Sequence, residues 1–300
     1  MKNKILVLMC AFAFVGCKKN ATESSATDIQ ETAQQVGDAM ASADEAGGGS
    51  GSYASNMQNS IQSTFERYAP DDKPSSHLVA SLFLPTAEAT SCLGYGFGSC
   101  SGTSLVRNFN SCTVGSAVLS GDVTFSWGGG ASTCAMTAIG HHVSRSPNFT
   151  LSGRRGATLA VSKTGSNGQR VEVVSGSGGS RVFAFSNDGI NRKFTLPNST
   201  VLFDFTTTTT SNISITGTSR SDRVMDGGAL RVTNNLTSVT CDYVPTNVTW
   251  ASGCNCPTQG SWSGSCSDGK STTLDITGCG TATYSEGSNT ESLTFDRCGT

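Results

Sequence analysis

The chain has 300 residues, with 20 Lys and Arg against 22 Asp and Glu and a formal net charge of −2. This near balance, without a basic stripe, argues against nucleic acid as a partner. The 35 glycines favour turns and extended segments over long helices.

The N-terminus has the features of an export signal. Lys2 and Lys4 precede an uncharged apolar run from Ile5 to Val15. A bilayer-spanning helix needs about 20 apolar residues, so this run has the length of a signal-peptide core instead. The run ends in the stretch Phe14-Val15-Gly16-Cys17, which places a thiol directly after a small residue.

This four-residue stretch resembles the lipobox of bacterial lipoproteins, with Phe14 standing where Leu is usual. The resemblance implies cleavage before Cys17, lipidation of its thiol and acylation of the new amino terminus. Lys18 stands where Asp would imply retention in the inner membrane. The expected location is therefore the outer membrane, lipid-anchored on its periplasmic or cell-surface face. A plain signal peptide with an incidental Cys17 is the alternative.

The cysteines predict a disulfide framework in an oxidising compartment. The chain has 12 of them; Cys10 belongs to the leader and Cys17 would carry lipid, which leaves an even set. The candidates are Cys92, Cys100, Cys112, Cys134, Cys241, Cys254, Cys256, Cys266, Cys279 and Cys298. Spacing leaves the connectivity open, and local closure favours Cys92–Cys100, Cys112–Cys134 and Cys279–Cys298.

The order of segments predicts a signal peptide over 1–16, a lipidated stalk and Gly/Ser linker over 17–52, a helix and connector over 53–90, and a disulfide-stabilised β domain over 91–300. Within the stalk, apolar residues recur with helical spacing at Ile29, Ala33, Val36, Met40 and Ala43. A second helical stripe contains Tyr53, Met57, Ile61, Phe65 and Tyr68 and stops before Pro70. We expect that stripe to pack on the β domain.

From residue 91 onward, short alternating runs and turn residues follow one another. Val201, Phe203 and Phe205 share one face of a strand that Thr206 to Thr210 continue. Asn187-Asp188-Gly189 lies between two alternating runs and predicts a hairpin, and Asp226-Gly227-Gly228 predicts another turn. The fold class is therefore all-β, an antiparallel meander forming an open barrel, half-barrel or sandwich, with a short N-terminal helix.

The body also resembles a group of uncharacterised, cysteine-bearing, β-rich lipoproteins of predatory bacteria. The resembling stretches are Cys112-Thr113-Val114-Gly115, Ile213-Ser214-Ile215-Thr216-Gly217, Gly228-Ala229-Leu230-Arg231-Val232, and Cys279-Gly280-Thr281-Ala282 with Leu293 and Cys298. This resemblance implies no activity.

No residue set predicts a catalytic centre. The nearest to a nucleophile elbow centres on Cys100, which a Cys–His enzyme would combine with His141 and Asp122. A pair of carboxylates for glycan hydrolysis is a second route, but no pair stands out. A zinc site from Cys254, Cys256 and Cys266, or from the adjacent pair His141 and His142, lacks the usual ligand spacing, so we expect no metal and no cofactor.

Aromatic residues supply the candidate ligand contacts. Tyr95 and Phe97 lie on a glycine-rich loop, and Trp127, Trp250 and Trp262 would suit a sugar-stacking platform. We therefore expect a lipid-anchored protein that binds or scaffolds in the cell envelope, with glycan, peptidoglycan or an envelope protein as partner. The alternatives are an envelope hydrolase and a carrier of lipid or another apolar ligand in an open half-barrel.

Overall fold

A computed structural model describes residues 25–46, 63–70, 100–114 and 117–298. Helix α1 spans Ala26–Ala46, and residues 63–68 form a shorter helix. The strands are β1 (Ser104–Asn108), β2 (Cys112–Val114), β3 (Ala117–Gly128), β4 (His142–Ser152), β5 (Thr158–Lys163), β6 (Gln169–Ser175), β7 (Val182–Asn187), β8 (Ile190–Thr195), β9 (Val201–Ser211), β10 (Ile213–Thr216), β11 (Val224–Asp226), β12 (Ala229–Asn234), β13 (Val239–Trp250), β14 (Pro257–Cys266), β15 (Ser271–Gly278), β16 (Thr281–Glu286) and β17 (Asn289–Thr294). The expected leader and Cys17 lie outside the described residues.

The strands form one sheet in which every pairing is antiparallel, which confirms the predicted fold class. Its middle is built from rows that each hold two collinear strands. In the first such row, β5 pairs with the 148–152 half of β4 and β6 with its 142–145 half. The following rows are β7 with β8, β9 with β10, and β11 with β12. Strands β11 and β12 then both pair with β13, and β14 to β17 complete the meander.

The interruptions in these four rows lie side by side and form a break line across the sheet. The break line consists of residues 164–168, 188–189, 212 and 227–228. It extends into the neighbouring long strands at Pro147, which has no N–H to donate, and at Asn247, which has a φ of 49°. Next to Asn247, the backbone at Gly260 of β14 has a φ of 106°. The residues that permit backbone bends are therefore concentrated along one line that crosses the strands of the sheet.

The hairpin predicted at Asn187-Asp188-Gly189 is wrong, because these residues belong to the break line. β7 pairs with β6, and β8 pairs with β5, so the chain continues along one row instead of reversing. A Cβ at Gly189 would lie 2.2 Å from Thr164 Oγ1 in the adjacent row. Glycine is therefore needed here for close approach between rows. Asp226-Gly227-Gly228 likewise joins β11 to β12 within a row.

Two contacts of α1 show that the sheet is strongly curved. Glu31 accepts a hydrogen bond from Arg192 of β8, while Gln34 donates to the carbonyl oxygen of Thr294 in β17. Glu31 and Gln34 are about 4.5 Å apart along the helix axis. Seven row spacings separate β8 from β17, which would be about 33 Å in a flat sheet. The sheet therefore curls around α1 as an open half-barrel.

Helix α1 lies in the core, although its sequence position suggested a stalk. Val36 and Met40, two members of the predicted apolar stripe, are 0% and 1% exposed. Trp262 Nε1–H donates to Met40 Sδ at 3.2 Å. A Cβ at Gly37 would lie 2.7 Å from Phe295 Cδ1, so this glycine allows the helix to approach the C-terminal segment. The helical spacing is confirmed, and residues 26–46 are part of the folded body.

The helix at 63–68 packs against the inner face of the same half-barrel. Phe65 is fully buried, and its ring meets Phe194 edge-on at a centroid distance of 5.3 Å. Tyr68 packs against Phe203 at 5.6 Å. The expected packing of this amphipathic segment is therefore confirmed for its described part, whereas residues 53–62 lie outside it. Among the described residues, no helix is both long and apolar enough to cross a bilayer.

Every described cysteine is in a disulfide, but the locally favoured pairings are wrong. The bonds are Cys100–Cys134, Cys241–Cys266, Cys254–Cys279 and Cys256–Cys298, and Cys112 is disulfide-bonded as well. Cys92 lies outside the described residues. Sheet register, rather than proximity in sequence, decides at least one pairing, since Cys241 and Cys266 are direct cross-strand neighbours on β13 and β14.

Candidate functional site

A polar groove of about 700 Å³ opens on the outer face of β3 and β4. Hydroxyl and amide side chains dominate its lining, together with one carboxylate, one lysine, one imidazole and one indole. The lining consists of Asp122, Thr124, Ser126, Trp127, His142, Ser144, Ser146, Pro147, Asn148, Lys163, Ser166 and Asn167.

The two-residue period of the strands explains why polar side chains collect there. On β3, Leu119 and Val123 point inward and are 0% exposed, so Thr124 and Ser126 point outward. On β4 the same alternation buries Val143 and Phe149 and turns the intervening Ser, His and Asn residues outward. Because β3 and β4 pair along their whole length, these outward positions form one continuous surface.

The break line supplies a wall for the groove. The carboxylate of Asp188 accepts hydrogen bonds from the backbone N–H of Gly168 at 2.6 Å and of Asn167 at 2.7 Å. The Asn167 side-chain amide donates to the same carboxylate at 3.3 Å. Lys163 Nζ donates to the Ser166 carbonyl oxygen at 2.8 Å. Asp188 thus holds the 164–168 segment in a fixed shape beside β4.

His142 and Trp127 mark the end of the groove near the β3–β4 connection. The His142 ring lies flat against β3, since a Cβ at Gly128 would be 2.5 Å from its Nε2. His142 Nδ1 is 3.4 Å from the Gly140 carbonyl oxygen, which suits a proton on Nδ1. Trp127 is partly buried, and its ring lies 6.4 Å from that of Phe125. Trp127 pairs with Val143 in the β3–β4 register, so its side chain lies on the inner face with Val123 and Phe125, and the His142 ring is the aromatic group beside the row of hydroxyl groups.

The Cys–His enzyme hypothesis is wrong for this structure, because Cys100 forms a disulfide with Cys134 and has no thiol to act as nucleophile. Asp122 and His142 both line the groove, whereas His141 accepts a hydrogen bond from the Thr137 N–H at 3.3 Å on the connecting loop. Glycoside hydrolysis requires two carboxylates flanking the bond. Among the described lining residues, Asp122 is the only one with a carboxylate side chain.

The cysteines considered for zinc are also in disulfide bonds. Cys254, Cys256 and Cys266 are each bonded to another cysteine, so no thiolate remains among these three for a metal. Within the described ranges, no group of three or more His, Cys, Asp or Glu side chains is arranged to hold a metal ion.

The three tryptophans do not form one platform. Trp262 is 0% exposed and Trp250 is 4% exposed, with the Arg223 guanidinium 5.8 Å from the Trp250 ring centroid. Both are core residues, and Trp127, although it borders the groove, packs its side chain against the core beside Phe125. Tyr95 and Phe97 lie outside the described residues.

The apolar-carrier hypothesis requires an open trough inside the half-barrel. Helix α1 occupies that space, where Ala33, Val36 and Met40 belong to the same buried cluster as the inward-facing phenylalanines of β8 and β9. In the structure as described, the interior is a packed core.

Sequence reasoning missed most of the groove. Ser144, Ser146 and Asn148 alternate with inward residues, but Ser and Asn carry no strand signal by themselves. Lys163 and Asn167 join them only because β5 and β6 are collinear, which is a property of the sheet register.

The chain matches no protein-family model, no curated protein and no solved structure.

Proposed function

We propose that this is a lipid-anchored protein of the cell envelope whose β domain binds a glycan in the groove on β3 and β4. The observation that carries the proposal is the groove lining, in which outward Ser, Thr and Asn side chains lie beside the His142 ring. Sugars present hydroxyl groups that such side chains bind and apolar ring faces that pack against aromatic rings.

The size of the groove supports this function. Ligand sites typically enclose about 300 to 1,000 Å³, and the groove has about 700 Å³. Its lining carries Asp122, Lys163 and His142 as its titratable groups, so charge is sparse relative to hydroxyl and amide groups. A neutral or weakly charged polyhydroxyl ligand, such as a peptidoglycan or polysaccharide strand, fits that chemistry better than a strongly charged polymer.

The N-terminal motif and the disulfides support the proposed location. A lipid on Cys17 would hold the β domain at the outer membrane, and multiple acyl chains make such attachment stable. The disulfides among described cysteines agree with folding in an oxidising compartment. Replacing Cys17 with Ser should move the protein from the membrane fraction to the soluble fraction; retention of Cys17→Ser in membranes would contradict the anchor.

Ligand binding is tested with the full-length protein in detergent, using glycan arrays and isolated peptidoglycan. Asn148→Ala and Asn167→Ala should each weaken binding about 2- to 10-fold, because a single neutral hydrogen bond contributes about 0.5 to 1.5 kcal/mol. Val244→Ala, at a 41% exposed residue of β13, is the control and should bind as the parent does. Absence of binding to every glycan and to peptidoglycan would refute the proposal, as would equal loss in the control.

A further inference from the structure

A small cavity of about 40 Å³ lies between α1 and the inner face of the sheet, on the opposite side of the sheet from the groove. Three arginines line it: Arg145 of β4, Arg192 of β8 and Arg297 of the C-terminal segment. Asp38 of α1 is the carboxylate in the lining and lies 3.7 Å from Arg297 Nη1. The cavity wall is therefore rich in cationic hydrogen-bond donors.

Gln35 adds a donor that the folded chain leaves unused. Its side chain lines the cavity and is 2% exposed. Among the described residues, Gln35 Nε2 has no hydrogen-bond partner. Leaving a buried donor unsatisfied costs about 1 to 3 kcal/mol, so native proteins usually provide a partner from the chain, from water or from a ligand.

The other donors around the cavity hold fixed positions. Arg145 Nη1 donates to Gln169 Oε1 at 2.6 Å, and Arg192 Nη1 donates to Glu31 Oε2 at 2.7 Å. These bonds fix the guanidinium planes against the sheet and against α1. The apolar part of the wall, including Phe149 and Leu159, excludes bulk water and lowers the local dielectric constant.

We propose that this cavity is a binding site for a small monovalent anion of halide size, with chloride as the ligand. The volume admits one or a few water-sized species, because a single water needs about 10 to 15 Å³ measured this way. A halide accepts hydrogen bonds from several donors at once and is attracted by the guanidinium groups. Gln35 Nε2 would supply a neutral donor. The site is independent of the proposed glycan groove.

The first test uses the unmodified full-length protein. Its melting temperature is measured as sodium chloride replaces sodium gluconate at constant ionic strength. Binding to the native state predicts a rise of roughly 2 to 4 °C between about 1 mM and about 300 mM chloride. Crystals grown in sodium bromide should show an anomalous peak beside Gln35 Nε2. Equal melting temperatures with no bromide peak, and a water in the cavity, would overturn the proposal.

Variants locate the effect on the chain. Gln35→Leu should abolish the chloride dependence, and Gln35→Glu should do the same because its carboxylate takes the place of the anion. Gln30→Leu is the matched control, since Gln30 lies on the same helix and does not line the cavity. A chloride effect that persists in Gln35→Leu, or that disappears in Gln30→Leu, would contradict a site at Gln35. The halide measurements on the parent protein decide the question even if a variant fails to fold.

Discussion

Glu31 of α1 and Arg192 of β8 form an ion pair inside the half-barrel. Arg192 Nη1 lies 2.7 Å from Glu31 Oε2, and the two side chains are 3% and 0% exposed. Arg192 Nη2 also donates to Thr64 Oγ1 in the 63–68 helix. Burial raises the pKa of Glu31, although the positive charge of Arg192 opposes that rise. One arginine thus joins both helices to the sheet.

Removing one partner of this pair should destabilise the protein strongly. Glu31→Leu leaves Arg192 buried with an uncompensated charge, which typically costs about 3 to 5 kcal/mol in unfolding free energy. The double variant Glu31→Leu/Arg192→Met should lose less than Glu31→Leu alone, because neither charge of the pair is left buried without its partner. Urea unfolding of both single variants and the double variant measures this coupling.

The exposed pair of Arg231 and Asp242 provides the control. Its side chains are 43% and 37% exposed at an N–O distance of 2.7 Å. Exposed pairs contribute about 0 to 1 kcal/mol, so Asp242→Asn should change stability little. If Glu31→Leu behaved like Asp242→Asn, the buried position of α1 in the half-barrel would be wrong.

The break line predicts different outcomes at two adjacent glycines. Gly227 and Gly228 have φ values of 63° and 70°, so alanine is strained at both, by about 1 kcal/mol. A Cβ at Gly228 would additionally lie 2.2 Å from the Asn212 carbonyl oxygen, whereas at Gly227 it meets nothing within 4 Å. Gly228→Ala should therefore destabilise more than Gly227→Ala, by roughly 1 to 3 kcal/mol. Equal effects in chemical denaturation would show that the two rows do not approach at Asn212.

Asp188 should control the shape of the groove wall. Asp188→Ala removes the acceptor for three hydrogen bonds from Asn167 and Gly168. We expect faster hydrogen–deuterium exchange over 164–168 and weaker glycan binding, with at most about 1 to 2 kcal/mol lost from global stability. Asp226→Ala is the matched control, because Asp226 also bonds a break-line amide but lies away from the groove. If hydrogen–deuterium exchange over 164–168 were unchanged in Asp188→Ala, Asp188 would not hold this segment in its shape.

Three tyrosines predict loss of stability at alkaline pH. Burial raises the pKa of Tyr68, Tyr243 and Tyr284 above the ordinary value of 10.0. Above about pH 10 the unfolded chain ionises these hydroxyls while the folded chain keeps its protons, so stability falls as pH rises. The tyrosinate absorbance should appear together with unfolding. Tyr243→Phe should reduce the slope of stability against pH, and a tyrosinate signal from still-folded protein would contradict the burial.

The sequence predicted the parts of the fold that local pattern controls. The shared face of Val201, Phe203 and Phe205 predicts a strand that continues to Thr210, and β9 confirms it. The spacing of Phe65 and Tyr68 predicts one helical face, and both residues pack on the sheet. In these segments the spacing of apolar residues along the sequence matches the residues that are buried in the structure.

Other features depend on contacts distant in sequence. Asp188-Gly189 has the composition of a hairpin turn, but pairing of β7 with β6 and β8 with β5 keeps the chain in one row. The cysteine partners depend on which strands become neighbours. The groove is lined by both Thr124 and Lys163, and the local sequence pattern does not predict that these residues lie close together. Val36 and Met40 gave a helical period, whereas their position inside the half-barrel follows from the closure of the whole sheet.

The break line also affects which length changes the chain can accommodate. In a regular strand, one inserted residue moves every later side chain to the opposite face of the sheet. In this sheet each middle row consists of two separately paired segments, so an extra residue at 164–168 or 227–228 would be absorbed before the next segment begins. The two ends of a row can then keep their registers independently. Insertions and deletions at this level should therefore disturb the close contacts of Gly168 and Gly228 but keep the buried faces of both segments, while the same changes inside β13 or β14 would invert a buried face.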